Sequence, residues 1–535
     1  MPAISTYSVP LVMPDFSPYP IVKTPYITEM AKARFEGTLP ENLQLPLPDI
    51  QGLIDKAGQN KFTPENRKLL VDALRNQYQQ SGITPDQSPV VFENIDALNQ
   101  TNIYTVTTGQ QIHVMLGPLF FIYKIRSLMA YVELFNKTAK DCKVVPVFWM
   151  ASEDHDLDEI NHVKLYNETF TWQAEAGNAV GRLNCKGIAE MIDAAEDRAD
   201  KTEAHAQMFA LFRKYYTPNR TLSQATRLIL NELYGAEGLI ILDPDDAALK
   251  QLFLPVAKAD ILNKIAFNTV NVSNKVLKTA GFETRVNARE INYFWLDNGK
   301  RHKLKMTDDQ VFIDDSNIEL SVETMLSQPE KISPNVLTRP LYQESILPNI
   351  LYLGGGAEVE YWLPLQQTFE KCNLVYPVLL MRDSVLMLSN KNLDAITAAG
   401  FEWFDMFKPE TELASIFAEK HNHESQRVEL LIQNLQTQLQ ELKSDFEKRD
   451  STPGNIHREI NELQKGISRL TKLVADETLR LQKDNQALSK ILKIKAKFFD
   501  KKQERDEFLI QYPEALNIRF HKSDACFPKL VLKAV

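Results

Sequence analysis

Two short apolar runs, 104–107 and 145–149, flank an apolar helical stretch that begins at Gly117-Pro118. Each run ends in polar side chains that a packed core cannot use, at Thr108–Gln111 and at Glu153–Asp158. Strand, helix and strand in this order predict a βαβ unit, whose crossover is right-handed in nearly all proteins. The two strands then run parallel, and both polar segments lie at the sheet edge where open α/β sheets bind ligands.

The same pattern recurs three times further along the chain. An apolar run at 238–242 ends in acids, a run at 350–353 ends in glycines that open a helix, and a run at 376–381 ends in Arg382. Five strand runs therefore end in polar or glycine-rich loops, at 108–111, 153–158, 243–246, 354–356 and 382–384. A single loop of this kind is a solubilising turn or a helix cap, but five at a common edge predict a binding crevice.

The remaining segments predict a core that is interrupted by insertions between its strands. A helix capped by Thr63, with Pro64 in its first turn, stands out near the N-terminus, and Asn298-Gly299 predicts a hairpin in a small β unit. The predicted divisions are 1–95, an N-terminal segment packing on the core; 96–164, the first half of the core; 165–236, a helical insertion; 237–283, more core; 284–330, a small β insertion; 331–410, the second half of the core; 411–505, a coiled coil; and 506–535, a segment returning to the core.

The stretch 411–505 has the apolar spacing of a coiled coil, alternating four and three residues. The seam of the first arm comprises Val428, Ile432, Leu435, Leu439, Leu442 and Phe446, and the second arm repeats it at Ile456, Ile460, Leu463, Ile467, Leu470 and Val474. A turn at 451–454 separates the arms, so we expect an antiparallel helical hairpin whose exposed seam mediates a homodimer.

Composition narrows the class of protein. The chain has 535 residues and a net charge of −9, which suggests several structural units and no general attraction to nucleic acid or anionic lipid. No run approaches the ~20 apolar residues of a membrane span, and the first residues lack the pattern of a signal peptide. The four cysteines are scattered, which predicts free thiols in a reducing cytoplasm.

Residues 153–162 concentrate carboxylates with two imidazoles. We expect His155, oriented by Asp154 or Asp156, to be a general base, because imidazole changes its protonation near neutral pH. The competing interpretation is helix capping by Asp156 or Asp158. A metal site is a third interpretation, although no known ligand spacing fits this stretch.

Two further groups suit anions and sugars. Gly354–Gly356, between a strand and a helix, can bring backbone N–H groups close to an anion, and Arg382 can bind a carboxylate or phosphate. The alternative is a tight turn closed by glycines, which tolerate positive φ. Gln110 and Gln111 carry both donors and acceptors, which suit sugar hydroxyls or carboxylates.

Several motifs together resemble the cysteine ligases of bacillithiol biosynthesis, the BshC family. The resemblance covers nearly the whole chain. It rests on Thr108-Gly-Gln-Gln111, Gly117-Pro-Leu-Phe-Phe-Ile-Tyr-Lys124, Pro146-Val-Phe-Trp-Met-Ala-Ser-Glu-Asp-His-Asp156, Asp158-Glu-Ile-Asn-His162, 238–246, Arg339-Pro-Leu-Tyr-Gln-Glu-Ser345, Gly354-Gly-Gly-Ala-Glu-Val-Glu-Tyr-Trp362 and the coiled coil. Where members of the family tend to have Gly-Gly-Pro-Gly-Glu, this chain has Gly354-Gly-Gly-Ala-Glu358.

The resemblance implies an α/β fold: a Rossmann-like parallel-sheet core with connecting-peptide insertions, plus an antiparallel α-helical coiled-coil hairpin and dimerisation. It implies addition of L-cysteine to glucosaminyl malate, the last step of that pathway, and activation of the cysteine carboxylate suggests ATP as a cosubstrate. On this basis we expect His155, Asp156 and Gln111 to be catalytic. The expected substrate-binding residues are Thr108, Gly109, Gln110, Gly117, Glu153, Asp154, Asn161, His162 and Arg339, and the expected nucleotide- or anion-binding residues are Gly354, Gly355, Gly356, Arg382 and Ser384.

Two other functions remain open at the level of sequence. A non-catalytic scaffold would use the coiled coil but would leave Gln110, Gln111 and the cluster at 153–162 without a purpose. A metal-dependent amidohydrolase of a related amino sugar would use that cluster as ligands.

Overall fold

The computed structural model describes residues 18–45, 47, 49–175, 177–316, 318–421, 423–447, 454–483, 486–520, 522 and 529–534. The chain forms two compact units. The larger unit contains Ile27–Val385 and Glu504–Val531, and the smaller one contains Leu386–Gln503. Within the described ranges, no helix is long and apolar enough to cross a membrane.

A five-stranded sheet lies at the centre of the larger unit. Its strands are β1 (Ile103–Gln110), β2 (Lys143–Met150), β3 (Ile240–Leu242), β4 (Asn349–Gly354) and β5 (Val378–Met381). Their order is β5-β4-β1-β2-β3, and every neighbouring pair is parallel. The predicted Rossmann-like parallel sheet is therefore confirmed. Because the strand order reverses between β1 and β4, the crevice outside their carboxyl ends is the expected ligand site.

The crossover helix Phe120–Thr138 leads from β1 to β2 and is buried over most of its length. A second long helix, Ala247–Asn263, follows β3, and the short helix Gly356–Trp362 follows β4. The predicted cap is confirmed at Pro64–Gln80, where the Thr63 side chain accepts from Asn66 N. The other helices of this unit of six or more residues are Glu29–Glu36, Ile50–Ala57, Pro89–Ala97, Ile188–Arg198, Glu203–Tyr215, Leu222–Tyr234, Ile265–Thr279, Val322–Ser327, Arg339–Ile346 and Gln366–Lys371.

A small antiparallel sheet is inserted between β3 and β4. Its strands, in spatial order, are Ile332–Pro334, Tyr293–Asp297, Lys300–Thr307 and Gln310–Ile313. The predicted hairpin is confirmed, with positive φ at both Asn298 and Gly299, as a type I′ turn requires. A separate two-stranded sheet pairs His162–Leu165 with Glu168–Thr171.

The smaller unit is mainly helical, with Asn390–Ala398, Glu410–His421, His423–Glu447, Gly454–Lys483 and Gln486–Phe498. The two longest helices contact each other, and Gln436 Nε2 lies 3.5 Å from Thr471 Oγ1. Residues 451–453 of the turn predicted at 451–454 lie outside the described residues, so the coiled-coil hairpin remains a prediction. Of its predicted seam, Ile432, Leu439 and Ile460 are buried, whereas Val428, Leu435, Leu442, Leu463 and Leu470 are exposed.

The cysteines that the structure describes are free thiols. Cys142 and Cys185 are buried, and Cys372 is half-buried. Cys526 lies outside the described residues.

Candidate functional site

The end of β1 is held by three hydrogen bonds, one from Thr108 and two from Lys124. Thr108 Oγ1 donates to Leu353 O at 2.7 Å, which joins β1 to β4. Lys124, from the crossover helix, donates its ammonium protons to Gly109 O at 2.8 Å and to Gln110 Oε1 at 2.7 Å. Sequence reasoning gave Lys124 no role because a lysine within a helix is usually a surface charge, whereas this one is buried beneath the crevice.

Lys124 also forms an ion pair with Glu358, which lies in the helix after β4. The Glu358 carboxylate accepts from Gly355 N at 2.7 Å and from the Tyr352 hydroxyl at 2.7 Å. The glycine loop is thus already bonded to a carboxylate of its own chain. The anion-binding role of Gly354–Gly356 therefore stays a prediction, with the Glu358 carboxylate in the predicted position of the anion.

The glycines of this loop do not use the positive φ that they could tolerate. None of Gly354, Gly355 and Gly356 has a positive φ. A Cβ on Gly354 would lie 3.0 Å from Glu358 Cβ, so close packing against the helix explains the glycine there.

Arg382 is already paired with a carboxylate of its own chain. Its Nη1 and Nη2 donate to the two carboxylate oxygens of Glu504 at 2.8 and 2.7 Å, and Nη1 also lies 3.1 Å from Ser384 Oγ. Arg382 and Ser384 are both buried. The predicted anion-binding role of these two residues is wrong, because a bidentate partner already occupies the guanidinium fork.

Asp154 is the acid at the centre of the loop after β2. Its Oδ1 accepts from His155 N at 2.8 Å, and its Oδ2 lies 3.7 Å from Arg339 Nη2 and 3.4 Å from Gln111 Nε2. Burial favours a higher pKa for Asp154, but the charges of Arg339 and Arg301 and the hydrogen bond from the His155 backbone N–H outweigh it and lower the pKa. Asp154 is therefore an anion flanked by two guanidinium groups.

Arg301 reaches this loop from the small antiparallel sheet and was missed by sequence reasoning. Its Nε donates to Ser333 Oγ at 3.0 Å, and its Nη2 donates to Pro334 O at 2.9 Å. The guanidinium stacks on the Phe294 ring, with 3.8 Å from Cζ to the ring centroid. Burial and the neighbouring Arg339 lower the pKa of Arg301 to about 10. No local signal marks Arg301, since it sits in a strand with several other cations.

His155 lies against Arg301, whose Nη1 is 3.0 Å from His155 Nδ1. A guanidinium can only donate, so Nδ1 accepts and the ring proton of the neutral imidazole is on Nε2. Asp154 Oδ1, at 3.6 Å from Nδ1, is too distant for a competing hydrogen bond. This geometry contradicts the predicted general base at His155 and makes its Nε2 a hydrogen-bond donor.

Glu153 holds the start of the loop after β2 through a buried ion pair. Its carboxylate lies 2.6 Å from Lys250 Nζ, which also donates to Glu330 O at 2.8 Å. Burial raises the pKa of Glu153, and the Lys250 charge acts against that shift. The predicted substrate contact at Glu153 is wrong, because the side chain is buried in this ion pair. Asp156 is exposed, and the predicted cap is absent there, since its side chain makes no capping bond to helix Leu157–Ile160.

The other predicted site residues differ in their contacts and in their exposure. Gln111 Nε2 donates to Glu159 Oε2 at 2.6 Å, and His162 Nδ1 lies 3.1 Å from Asp158 O. Arg339 is partly exposed at the start of its helix, and Asn161 is buried.

The loop after β1 turns sharply through a left-handed segment. Met115, Leu116 and Gly117 all have positive φ, and a Cβ on Gly117 would lie 2.5 Å from His113 Cβ. Gly117 therefore serves close packing, and the predicted substrate contact there has no support in the structure. His113 is buried; burial, with smaller contributions from His162 and Lys124, lowers its pKa to about 3.

The structure thus brings Gln110, Gln111, Asp154, His155 and Arg339 to one crevice, to which it adds Arg301 and Lys124. The positive φ angles of Met115 and Leu116, in the loop after β1, are backbone strain of a kind that often accompanies ligand sites. Across the described part of the chain, no group of three or more His, Cys, Asp or Glu side chains is placed to hold a metal ion.

Comparison with known proteins agrees with this architecture. The family described as "Bacillithiol biosynthesis BshC, N-terminal Rossmann-like domain" matches residues 49–383. The chain is 34% identical over 474 residues to a Flavobacterium johnsoniae protein named "Putative cysteine ligase BshC", covering 85% of this chain and 87% of that protein. Proteins of the same name from Christiangramia forsetii and Natranaerobius thermophilus are 32% and 30% identical, over 88% and 80% of this chain and 89% and 82% of their own lengths. With its parallel sheet, its crevice and these relatives, the chain belongs to the BshC family.

Proposed function

We propose that this protein joins L-cysteine to glucosaminyl malate through an amide bond, as the last step of bacillithiol biosynthesis. Membership of the BshC family, in which the similar proteins bear the name "Putative cysteine ligase BshC", is the observation that carries the proposal. We place the reaction in the crevice outside the carboxyl ends of β1 and β4, where the strand order reverses.

The charges at the crevice suit a substrate with carboxylates. Arg301 and Arg339 face one carboxylate, Asp154, at 3.8 and 3.7 Å, so these three side chains together carry one positive charge. Neither distance is a hydrogen bond, and Arg339 is partly exposed. We assign the malate carboxylates to Arg339, with the Nε2–H of His155 as a second donor.

The amide side chains at the end of β1 suit the sugar. Gln110 accepts from Lys124, and Gln111 donates to Glu159, so both are held in place from outside the crevice. Side chains fixed in this way lose little freedom when they bind sugar hydroxyls. Orientation of the two reactants can contribute about 7–11 kcal/mol to lowering the barrier.

Cysteine must be activated before an amine can attack its carboxylate, and we propose ATP as the activating cosubstrate. Lys124, Gly355 N–H and the Tyr352 hydroxyl already bind one anionic group, the Glu358 carboxylate. A phosphate of the nucleotide would exchange with that carboxylate at the end of the crevice between β1 and β4.

The test is to incubate purified protein with ATP, cysteine and glucosaminyl malate and to follow thiol and nucleotide products by mass spectrometry. We expect bacillithiol from the unaltered protein, and a loss of about 10-fold or more in kcat/KM for Arg339→Met, because one charge-assisted bond contributes about 1.5–3 kcal/mol. His302→Asn, on the outer side of the small sheet where the ring contacts Asp315, is the matched control. Absence of product with every nucleotide tried would reject the proposal.

We further propose that the protein is a homodimer formed by its two longest helices. Their exposed leucines, among them Leu435, Leu442, Leu463 and Leu470, follow the predicted coiled-coil seam. Exposed apolar stripes of this kind commonly mark protein interfaces. Light scattering at micromolar concentration tests it, and a monomer mass would contradict it.

A further inference from the structure

Two histidines near the crevice differ in which ring nitrogen carries the proton. Arg301 donates to His155 Nδ1, which leaves the proton on Nε2. At His162 the arrangement is reversed, because Nδ1 lies 3.1 Å from the Asp158 carbonyl oxygen, which can only accept. His162 Nδ1 therefore donates, and in the neutral ring Nε2 keeps its lone pair.

His162 stands on the rim beside the end of β1. It is the first residue of strand His162–Leu165, which packs against the left-handed turn Val114–Leu116 that follows β1. The His162 ring centroid is 5.8 Å from that of Phe508, and the side chain is partly exposed. The helix Leu157–Ile160 just before it is tied to β1 by the bond from Gln111 to Glu159.

The charges around the two rings also differ. His155 faces Arg301 and, beyond Asp154, Arg339. The carboxylates nearest to His162 along the chain are Asp158 and Glu159, in the short helix just before it. On the turn packed against it, His113 has its pKa lowered to about 3 by burial and therefore adds no charge at neutral pH.

We propose that His162 Nε2 is the general base of the ligation, a role that rests on the function proposed above. The cysteine carboxylate first attacks a phosphorus atom of ATP, the P–O bond to ADP or to pyrophosphate breaks, and cysteine becomes a mixed anhydride. The amine nitrogen of glucosaminyl malate then attacks the carbonyl carbon of that anhydride. The C–N bond forms, the bond from carbonyl carbon to the phosphate oxygen breaks, and the phosphate leaves with that electron pair. The proton lost by the amine passes to His162 Nε2.

Three variants of the full-length protein separate this assignment from one at His155. His162→Asn keeps a donor for the Asp158 carbonyl but removes the basic nitrogen. His155→Gln keeps a donor near the Nε2 position. His302→Asn removes an imidazole whose Nδ1 is also held by an oxygen, 3.0 Å away on Asp315, outside the crevice. Thiol product is measured as kcat and kcat/KM from about pH 5 to pH 9, the range that includes imidazole titration.

We expect His162→Asn to lower kcat by about 10²–10⁴-fold, the usual contribution of a general base, and to remove the fall in kcat at acidic pH. His155→Gln should raise KM and retain that fall, and His302→Asn should match the unaltered protein. The proposal would be overturned if His162→Asn had a normal kcat that still fell at acidic pH. If the fall in kcat at acidic pH disappeared in His155→Gln instead, the general base would be His155.

A spectroscopic readout does not depend on activity. In protein with ¹⁵N-labelled histidine, long-range ¹H–¹⁵N correlations distinguish the two neutral tautomers, and the variants assign the signals. We expect a protonated Nδ1 at His162 and a protonated Nε2 at His155, and the opposite pattern would overturn the proposal. If the unaltered protein forms no thiol product while the tautomers are as expected, the proposed reaction fails and the assignment of the two rings stands.

Discussion

Replacing Arg382 by methionine tests whether this arginine is structural. Its guanidinium makes two hydrogen bonds to Glu504, and the side chains of the two residues are 5% and 3% exposed. Burial acts to lower the pKa of Arg382, but the charge and hydrogen bonds of Glu504 outweigh it and raise the pKa. Arg382→Met removes the cation that neutralises a buried carboxylate, and such a change costs about 3–5 kcal/mol.

The double replacement Arg382→Met, Glu504→Leu removes both charges at once. Replacing a buried ion pair by apolar side chains of similar volume is often neutral or stabilising, by up to about 4 kcal/mol. We therefore expect the double variant to recover most of the stability lost in the single one. Urea unfolding followed by the fluorescence of tryptophans of the larger unit, such as Trp149 and Trp362, measures the free energy of unfolding of each variant.

Nucleotide binding gives the second readout of the same pair. If Arg382 is purely structural, the double variant should bind ATP as the unaltered protein does, in calorimetric titration. Two results would refute this reasoning: a single variant that is less than about 1 kcal/mol destabilised, or a stably folded double variant that no longer binds ATP. The second result would return Arg382 to the anion-binding role that the sequence first predicted.

Three further predictions concern other parts of the chain. Gly117→Ala should lower the free energy of unfolding by about 1–3 kcal/mol, because φ is positive there and the new Cβ would meet His113; unchanged thermal unfolding would contradict the fold of this loop. Burial raises the pKa of Glu344 to about 8, so its contribution to stability is full below the unfolded-state pKa and is lost as pH rises towards 8. Glu344→Gln should flatten the unfolding free energy measured between about pH 5 and 8, and a parallel fall in both proteins would contradict the assignment. Leu435→Glu and Leu442→Glu together should convert the proposed dimer to a monomer by light scattering, and an unchanged mass would reject that surface.

Local sequence signals determined much of the fold. Apolar runs that end in polar or glycine residues located all five strands of the sheet, Thr63-Pro64 marked a helix start, and Asn298-Gly299 marked a hairpin. These features were predictable because neighbouring residues set backbone preferences and periodicity. The same patterns placed Gln110, Gln111 and the loop after β2 at the edge where parallel strands deliver them.

Only the tertiary structure decided which side chains are available for chemistry. Arg382 was expected in the crevice, but Glu504, 122 residues away, binds it in the interior. Arg301 comes from an inserted sheet to fix the proton of His155, and Lys124 is buried beneath β1 although it reads as a surface residue. The partner of a polar group depends on packing between distant segments, because a buried charge must be paired wherever the fold supplies a counter-charge. No local pattern encodes that choice.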